Sequence, residues 1–466
     1  MTCCIGDELS GCDFGDARLT ARLIKVASAI SDHPETSINA ACGSFADSKG
    51  AYRLLQNDKV RPEKILRSHQ TNCWERAVKD GRPILAIQDT TDLIYTKFPS
   101  IKGLGERLKA TKNFEKGVTG LMLHSTLAVS IDGVPLGLMK QTYFTYDEVR
   151  AKRNQVDKNQ QGAPKNIPIT EKASYRWLEH LQSAQELATA KCVPLIHVAD
   201  RECDIYEFLH EAANSSSSFV VRSCADRLTQ GIGRKVDMPT LGALIQSASV
   251  LSNIGFTIEG ENIECEVKRV TTVLRPPHRS AAAKDADLKP INVSVVDVRQ
   301  TNCDKNPIHW RLLTNLPCES LEDCLQVVKI YGHRWAIECF HRILKSGFHV
   351  EEARLANRQR IENFATLLSI ISWHIFWLYK FGRSAPGTFA DSIIDKDGIK
   401  VLTISAKKLK IKISSKMTLG EALLIVARLG GFLGRKGDGD PGMQSIWRGW
   451  RCLAERVDFL EAMTYG

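Results

Sequence analysis

The chain has 466 residues, a length that predicts about two to four domains. Hydrophobic residues make up 43% of the sequence and charged residues 25%, which excludes a fibrous or largely disordered protein. The formal net charge of +10 is compatible with a polyanionic partner but does not identify one.

The first 75 residues are predicted to be helical. In the segment DARLTARLIKVASAI, apolar residues recur at helical spacing beside Arg18, Arg22 and Lys25. A second basic and apolar segment, SKGAYRLLQND, follows it. We therefore expect a small helical domain with a basic surface at the start of the chain.

Strand patterns begin near residue 82, and two of them end in an aspartate. The apolar run 84–87 precedes Asp89, and the run 193–198 precedes Asp200. Short apolar runs of this kind are typical of buried strands. One aspartate at a strand end is more often a turn residue than a functional one, so each of the two, taken alone, carries little weight.

Further strands are expected on both sides of Asp200. The dipeptide Asp132-Gly133 indicates a hairpin between two strand-like runs. Several segments between residues 225 and 318 also look strand-like, with a mobile loop predicted at 275–290.

One long helix is predicted from Ser320, which forms a start box with Asp323, to a stop signal at Gly347. When its residues are placed at about 100° intervals around the helix axis, apolar residues cover one face, which suits packing against a sheet. Polar residues cover the opposite face, which is its polar front. A solvated face would also be polar. This front, however, holds one carboxylate among cations and a tyrosine: Tyr331, Arg334, Glu338, His341, Arg342 and Lys345.

Two strands and this helix can thus supply three carboxylates, Asp89, Asp200 and Glu338. Hard divalent ions such as Mg²⁺ prefer oxygen ligands and keep coordination positions open for phosphate and water. Two such ions roughly 3.5 to 4 Å apart stabilise both the attacking and the leaving oxygen of a phosphoryl transfer. The neighbouring cations would then hold nucleic-acid phosphates.

The chain contains 14 cysteines at irregular spacing, and none of them forms a Cys-x-x-Cys pair. This usage favours reduced thiols and a cytoplasmic location over a zinc site or a disulfide framework. We see no signal peptide. The apolar stretch 363–379 is interrupted by Ser369, Ser372 and His374, so we expect a buried helix and no membrane span.

At this point the residues resemble those of a known family, the DDE transposases of bacterial insertion sequences. The resemblance is to the cut-and-paste group with a Tyr-x2-Arg-x3-Glu-x6-Lys signature, whose members match this chain at Tyr331, Arg334, Glu338 and Lys345. The first two acids stand in the matching contexts AIQDTT and VADRECDI. Shorter matches, such as GAYRLL, FVVRS, WRLLTN and VARLGGFL, extend the resemblance over nearly the whole chain.

The resemblance implies an α/β fold with a ribonuclease-H-like catalytic core. It implies a helical DNA-end-binding domain at 1–75, a catalytic domain at 76–355 and a helical dimerisation domain at 356–466. The 138 residues that separate Asp200 from Glu338 (338 − 200) leave room for the family's β-rich insertion, expected at about 225–318.

The resemblance also implies roles for individual residues. Asp89, Asp200 and Glu338 would be catalytic and would bind the metal. Trp310 would stack on a base flipped out of the duplex, and the less favoured alternative is an ordinary strand core residue. The remaining expected DNA contacts are Tyr331, Arg334, Lys345, Arg222, His341 and Arg342.

The implied reaction is cut-and-paste transposition at terminal inverted repeats. Water nicks the transposon end, the freed 3′ hydroxyl forms a hairpin, a second water opens the hairpin, and the 3′ hydroxyl joins target DNA. The implied cofactors are two Mg²⁺ ions, for which Mn²⁺ can substitute. The implied partners are double-stranded DNA and a second copy of the chain, with no membrane.

Three alternatives stay open from the sequence. The pairs Glu207/His210 and Glu338/His341 have the Glu-x-x-His spacing of a di-metal oxidoreductase, which would need a four-helix bundle. A DNA-binding copy without catalytic activity is the second alternative. A plain Mg²⁺-dependent nuclease of the same fold is the third.

Overall fold

The computed structural model describes residues 5–33, 37–107, 117–148, 168–229, 239–258, 261–277, 287–303, 305 and 307–465. The middle of the predicted mobile loop, residues 278–286, lies outside this set.

The chain begins with a helical region, as predicted. Side chains cap two of its helices: Asp16 accepts a hydrogen bond from the backbone N–H of Arg18, and Ser44 accepts one from Asp47. Leu23 and Val26 on the predicted apolar face are buried. The helices are α1 (Ile5–Leu9), α2 (Ala17–Asp32), α3 (Ile38–Cys42), α4 (Phe45–Gln56) and α5 (Pro62–Asp80).

Ten strands of the described residues form one mixed sheet in the order β2-β3-β1-β5-β6-β10-β9-β8-β7, with β4 paired to β3. The strands are β1 (Ile84–Ile94), β2 (Gly105–Arg107), β3 (Val118–Ser130), β4 (Pro135–Thr145), β5 (Leu195–Ala199), β6 (Ser218–Arg222), β7 (Val250–Ile258), β8 (Glu261–Leu274), β9 (Ile291–Gln300) and β10 (His309–Thr314). Such a sheet is incompatible with the four-helix bundle of a di-metal oxidoreductase.

The five strands β4, β3, β1, β5 and β6 form the ribonuclease-H-like part of the sheet. Strand β1 is antiparallel to β3 and parallel to β5, and β5 is parallel to β6. Strand β10 then pairs antiparallel with β6, and β9, β8 and β7 follow in antiparallel order. The β-rich insertion therefore extends the core sheet.

The remaining helices cover this sheet and form the C-terminal part. They are α6 (Tyr175–Ala190), α7 (Tyr206–Ala213), α8 (Leu241–Ser247), α9 (Leu321–Gly332), α10 (Trp335–Arg342), α11 (Arg358–Ser384), α12 (Lys396–Leu409), α13 (Leu419–Leu429) and α14 (Met443–Tyr465). The segments between 225 and 318 were predicted to be strands, but one of them forms helix α8.

Helix α11 contains the apolar stretch 363–379 and lies in the core. By length and composition it is apolar enough to cross a membrane, but 78% of its most apolar window is buried inside the protein. Its Trp373 indole donates a hydrogen bond to the carbonyl of Pro135, 3.0 Å away. The prediction of a buried helix is confirmed.

The cysteines of the described residues are free thiols, as predicted, and Cys3 and Cys4 lie outside that set. Several are buried, and burial raises the pKa of the Cys12 thiol to about 11. Such a thiol stays protonated at neutral pH and is a poor nucleophile.

A buried ionic cluster attaches α1 to the rest of the protein. The Glu8 carboxylate lies 2.6 Å from His69 Nδ1 and 2.5 Å from Arg76 Nη1, both on α5. His69 Nε2 accepts a hydrogen bond from the backbone of Leu138 on β4, so Nδ1 carries the proton that is donated to Glu8. Burial opposes ionisation of Glu8, but the hydrogen bonds and charges of His69 and Arg76 outweigh it and hold the pKa well below 4.5.

We predict that Glu8→Ala lowers the free energy of unfolding by about 3 to 5 kcal/mol, because Arg76 and His69 lose their buried anionic partner. A carboxylate with a depressed pKa stabilises the fold above its unfolded pKa. The loss of unfolding free energy in Glu8→Ala should therefore be complete at pH 7 and become smaller as the pH falls below 4.5. Urea unfolding at several pH values measures it. The exposed neighbour Asp7→Ala is the control, and an equal loss in both variants would contradict the role of the cluster.

Candidate active site

Asp89 lies inside a strand, which corrects the prediction that its strand ends there. Strand β1 pairs with β3 through Ile94, but its pairing with β5 stops at Ile87. Among the described residues, no strand therefore pairs with the β5 side of β1 at Asp89. Asp200 directly follows β5, as predicted, and its Oδ1 accepts a hydrogen bond from the backbone N–H of Arg201 at 2.7 Å.

The helix that carries Glu338 is not continuous, which corrects a second prediction. Helix α9 ends at Gly332, and α10 begins at Trp335. Between them, the N–H of Arg334 bonds the carbonyl of Tyr331, and that of Ala336 bonds His333, so the turn is tighter than an α-helix. A π-helical turn, Ile343–Gly347, then follows α10 and carries Lys345.

Each of the three predicted catalytic acids lies close to a side chain from these helices. Tyr331 Oη donates to Asp200 Oδ1 at 3.3 Å, and Arg334 Nη2 donates to Glu338 Oε1 at 2.5 Å. His341 Nδ1 lies 3.8 Å from Asp89 Oδ2.

Arg334 interacts electrostatically with all three acids. Its positive charge lowers the pKa of Asp89, and the negative charges of Glu338 and Asp200 raise the pKa of Arg334 against the effect of its burial. The three acids thus lie within electrostatic range of one guanidinium group, which forms its direct hydrogen bond with Glu338.

Asp89 has an unusual protonation equilibrium. Burial raises the pKa of its carboxyl group to about 7, and the negative charges of Glu338 and Glu202 act in the same direction. A hydrogen bond with the Thr90 backbone and the charge of Arg334 oppose this rise but do not cancel it. The Asp89 side chain is therefore only partly ionised at neutral pH unless a further cation lies beside it.

The donor set suits a hard divalent cation, because it consists of carboxylate oxygens and includes a buried acid that lacks sufficient positive charge. However, no three His, Cys, Asp or Glu side chains of the described residues are arranged to hold a metal ion. Glu338 is paired with Arg334 instead. Metal binding by all three acids therefore requires a rearrangement of their side chains.

The predicted DNA contacts Trp310 and Arg222 lie beside Asp200. Arg222, at the end of β6, has Nη1 3.7 Å from Asp200 Oδ1. Trp310 is half-buried, and its ring contacts that of Tyr331 edge to face at 5.2 Å. The indole thus packs against the hydrophobic core on one side and contacts Tyr331 on the other, so its stacking role stays a prediction.

His341 and Arg342 face opposite ways. His341 was predicted to contact the DNA backbone, but only 7% of its side chain is exposed, and burial lowers its pKa to about 3. The imidazole is therefore neutral and turned towards β1, which corrects that prediction. Arg342 is exposed over the ring of Trp335 and borders a cavity of about 710 Å³ with Trp447 and Arg448.

Three residues of the site were not predicted from the sequence. Arg176 donates hydrogen bonds to Thr90 and Glu202, each at 3.2 Å, and so connects the strand of Asp89 with the turn of Asp200. Trp335 is 51% exposed between Arg334 and Ala336. Trp335 and Glu202 lie next to the recognised motifs in the sequence, which could have indicated that they belong to the site. Arg176 lies on a separate helix far from those motifs, so its sequence position gives no such indication.

We predict that, in chelator-treated protein, Asp89→Asn raises stability at pH 8 and has little effect near pH 4. An acid with a raised pKa stabilises the fold below its unfolded pKa, and this contribution is lost as the pH rises from 3.8 to about 7. The shift corresponds to at most about 4 kcal/mol, and to less here because the side chain is 27% exposed.

Thermal and urea unfolding between pH 4 and 8 measure this difference, and the exposed Glu186→Gln on α6 is the control. A stability gain of Asp89→Asn that is the same at every pH would contradict the raised pKa.

Comparison with known protein families gives three matches along the chain. Residues 4–60 match the family described as "Transposase DNA-binding". Residues 149–373 match "Transposase DDE domain", and residues 370–466 match "Transposase Tn5 dimerisation domain". The matched order agrees with a DNA-binding region, a catalytic core and a dimerising C-terminal part. The chain therefore belongs to the Tn5-type DDE transposases, enzymes that act on DNA.

Proposed function

We propose that this transposase catalyses cut-and-paste transposition of a DNA element bounded by terminal inverted repeats. The observation that carries the proposal is that one helical segment reaches all three acids. Tyr331 lies 3.3 Å from Asp200, Arg334 lies 2.5 Å from Glu338, and His341 lies 3.8 Å from Asp89. In this proposal the three acids, from β1, the end of β5 and α10, act as one site.

In this proposal Asp89, Asp200 and Glu338 are the catalytic acids and hold two divalent ions, Mg²⁺ or Mn²⁺. When bound, such ions stabilise the charge that develops on the attacking and leaving oxygens. The high pKa of Asp89 supports this role, because a neighbouring cation would favour its ionised form.

The signature cations and Tyr331 hold the backbone phosphates of the DNA end. A DNA phosphate competes with Glu338 for Arg334, because both are anions and the guanidinium can form paired hydrogen bonds with either. DNA binding then frees the Glu338 carboxylate for its catalytic role. Lys345 and Arg222 supply further positive charge.

Trp310 stacks on a base that leaves the duplex when the hairpin forms. Its ring already lies against Tyr331, so a phosphate contact and a stacking surface are adjacent. Stacking on an aromatic ring returns about 1 to 3 kcal/mol per base, which offsets the cost of unpairing.

The steps follow in a fixed order in this proposal. Water cuts one strand, the new 3′ hydroxyl attacks the opposite strand, water opens the resulting hairpin, and the same 3′ hydroxyl attacks the target DNA. The N-terminal helices read the terminal repeat, and two subunits joined through their C-terminal parts hold two ends. The enzyme works in the bacterial cytoplasm on nucleoid DNA.

We predict that alanine at Asp89, Asp200 or Glu338 lowers single-turnover cleavage of repeat-bearing DNA by at least about a thousandfold, because the acids act as one unit. Binding to the same DNA should persist, since none of the three contacts it. Mobility shift and gel-resolved cleavage with Mg²⁺ measure both properties, with Glu186→Ala as the control. A variant that cuts at the wild-type rate would remove that residue from the site. Wild-type binding without cleavage would identify an inactive copy, and cleavage without hairpin or joined product would identify a plain nuclease.

Arg334→Ala is expected to slow hairpin formation more than it weakens DNA binding. Its guanidinium pairs with Glu338 and, in this proposal, exchanges that partner for one DNA phosphate. Many other cations share the task of binding. Pre-nicked ends isolate the hairpin step, and the affinity is measured on the same DNA. Equal losses in both measurements would contradict this role.

A further inference from the structure

We infer that Glu351 is the positioning residue of the signature lysine, Lys345, and that it fixes this lysine to the strand that carries Asp89. The inference rests on the proposed function, in which Lys345 holds a DNA phosphate.

The Lys345 ammonium group is held at two points by the protein. Its Nζ donates a hydrogen bond to the carbonyl oxygen of Asp92 on β1 at 2.9 Å. It also lies 3.3 Å from Glu351 Oε1. An ammonium group has three N–H donors, so at least one donor remains for a phosphate oxygen even when Lys345 binds both groups.

Glu351 is itself attached to β1. Its Oε1 accepts a hydrogen bond from the backbone N–H of Ile94 at 2.7 Å, and this is the same oxygen that faces Lys345. A single carboxylate therefore ties the ammonium group to the end of the strand. Glu351 is 25% exposed and Lys345 27%, so the pair is partly shielded from water.

The turn that carries Glu351 is fixed as well. It is a 3₁₀ turn, Val350–Glu352, and the carbonyl of Val350 accepts a hydrogen bond from Tyr95 Oη at 2.9 Å. His349 precedes it with a left-handed φ of 48°, which is uncommon outside glycine. The turn is thus held at the end of β1 by two hydrogen bonds, one to a backbone oxygen of the turn and one to the side-chain oxygen of Glu351.

This arrangement answers a problem that the flexible lysine side chain creates. Lysine loses considerable rotamer freedom when it binds a phosphate in one position. Glu351 and the Asp92 carbonyl remove that freedom before the DNA arrives. Because β1 carries Asp89 three residues before Asp92, the phosphate held by Lys345 is positioned relative to the catalytic acid.

The charge of Glu351 has an opposite effect on affinity. A carboxylate next to a phosphate-binding cation repels the phosphate, so its removal should not weaken DNA binding. Positioning and affinity are therefore separable: loss of Glu351 should lower the rate of the chemical steps and leave the affinity unchanged or slightly higher.

The test uses the full chain with Glu351→Gln, Lys345→Ala and the double variant, on pre-nicked repeat-bearing DNA with Mg²⁺. The glutamine oxygen still accepts the Ile94 hydrogen bond, so only the charge opposite Lys345 is lost. We expect Glu351→Gln to slow hairpin formation between about tenfold and a hundredfold. Its affinity for the DNA should stay within about twofold of wild type or increase. In the Lys345→Ala background, Glu351→Gln should cause no further slowing.

Two more variants separate positioning from a general structural effect. Glu352→Gln is the matched control, because Glu352 is 71% exposed and pairs with His349 rather than with Lys345. Glu351→Asp keeps the charge and should form hairpins faster than Glu351→Gln. Equal rates of these two variants, or equal slowing by Glu351→Gln with and without Lys345, would overturn the inference.

The same experiment distinguishes failure of the inference from failure of the proposed function. If Lys345→Ala is slow but Glu351→Gln behaves as wild type, only the inference about Glu351 is overturned. If Lys345→Ala forms hairpins at the wild-type rate, the proposed phosphate contact fails and the role of Glu351 fails with it.

Discussion

The proposed site depends on one electrostatic constraint: its three carboxylates must approach one another in a partly buried place. Like charges at short range repel one another, and burial makes each of them more costly. In this structure Arg334 compensates part of that charge through its contact with Glu338 and its interaction with Asp89 and Asp200. Burial, assisted by the negative charges of Glu338 and Glu202, still raises the pKa of Asp89 to about 7. The site therefore has a built-in attraction for further positive charge.

The irregular helices around Glu338 determine which groups reach this site. The tight turn after Gly332 places Arg334 at the start of α10. From there its side chain reaches Glu338, which lies one turn further along the helix. The π-helical turn after Arg342 brings Lys345 against β1. π-Helical turns are rare in proteins and are frequent at functional sites. The spacing of the signature thus reflects a helix that is tightened at one end and widened at the other.

Much of the fold was predictable from local sequence, because buried strands and amphipathic helices have their own periodicities. The strand of Asp89, the strand before Asp200 and the buried helix over 363–379 are examples. The length of β1 was not predictable, since it depends on pairing with β3, which lies far from it in sequence.

The site shows the same division between local and long-range information. The acids and the signature were visible as residues, and the position of the acids within electrostatic range of Arg334 follows from the fold. The burial of His341 was missed because a helical wheel assigns a face but does not show what packs against it. Arg176 and Glu351 carry no local signal, because their partners Thr90 and Lys345 come from distant segments.

Helix α11 gives the three matched regions a common structural support. Asn363 on this helix donates to the carbonyls of Leu55 and Val60 in the N-terminal region, and Trp373 donates to Pro135 on β4. The catalytic match ends at residue 373 and the dimerisation match begins at 370, so both families meet in the middle of this one helix. Domains usually separate at exposed, flexible linkers, and a continuous buried helix is the opposite of such a linker. The C-terminal part is therefore joined to β4 and to the N-terminal helices by one continuous, mostly buried helix rather than by a flexible linker.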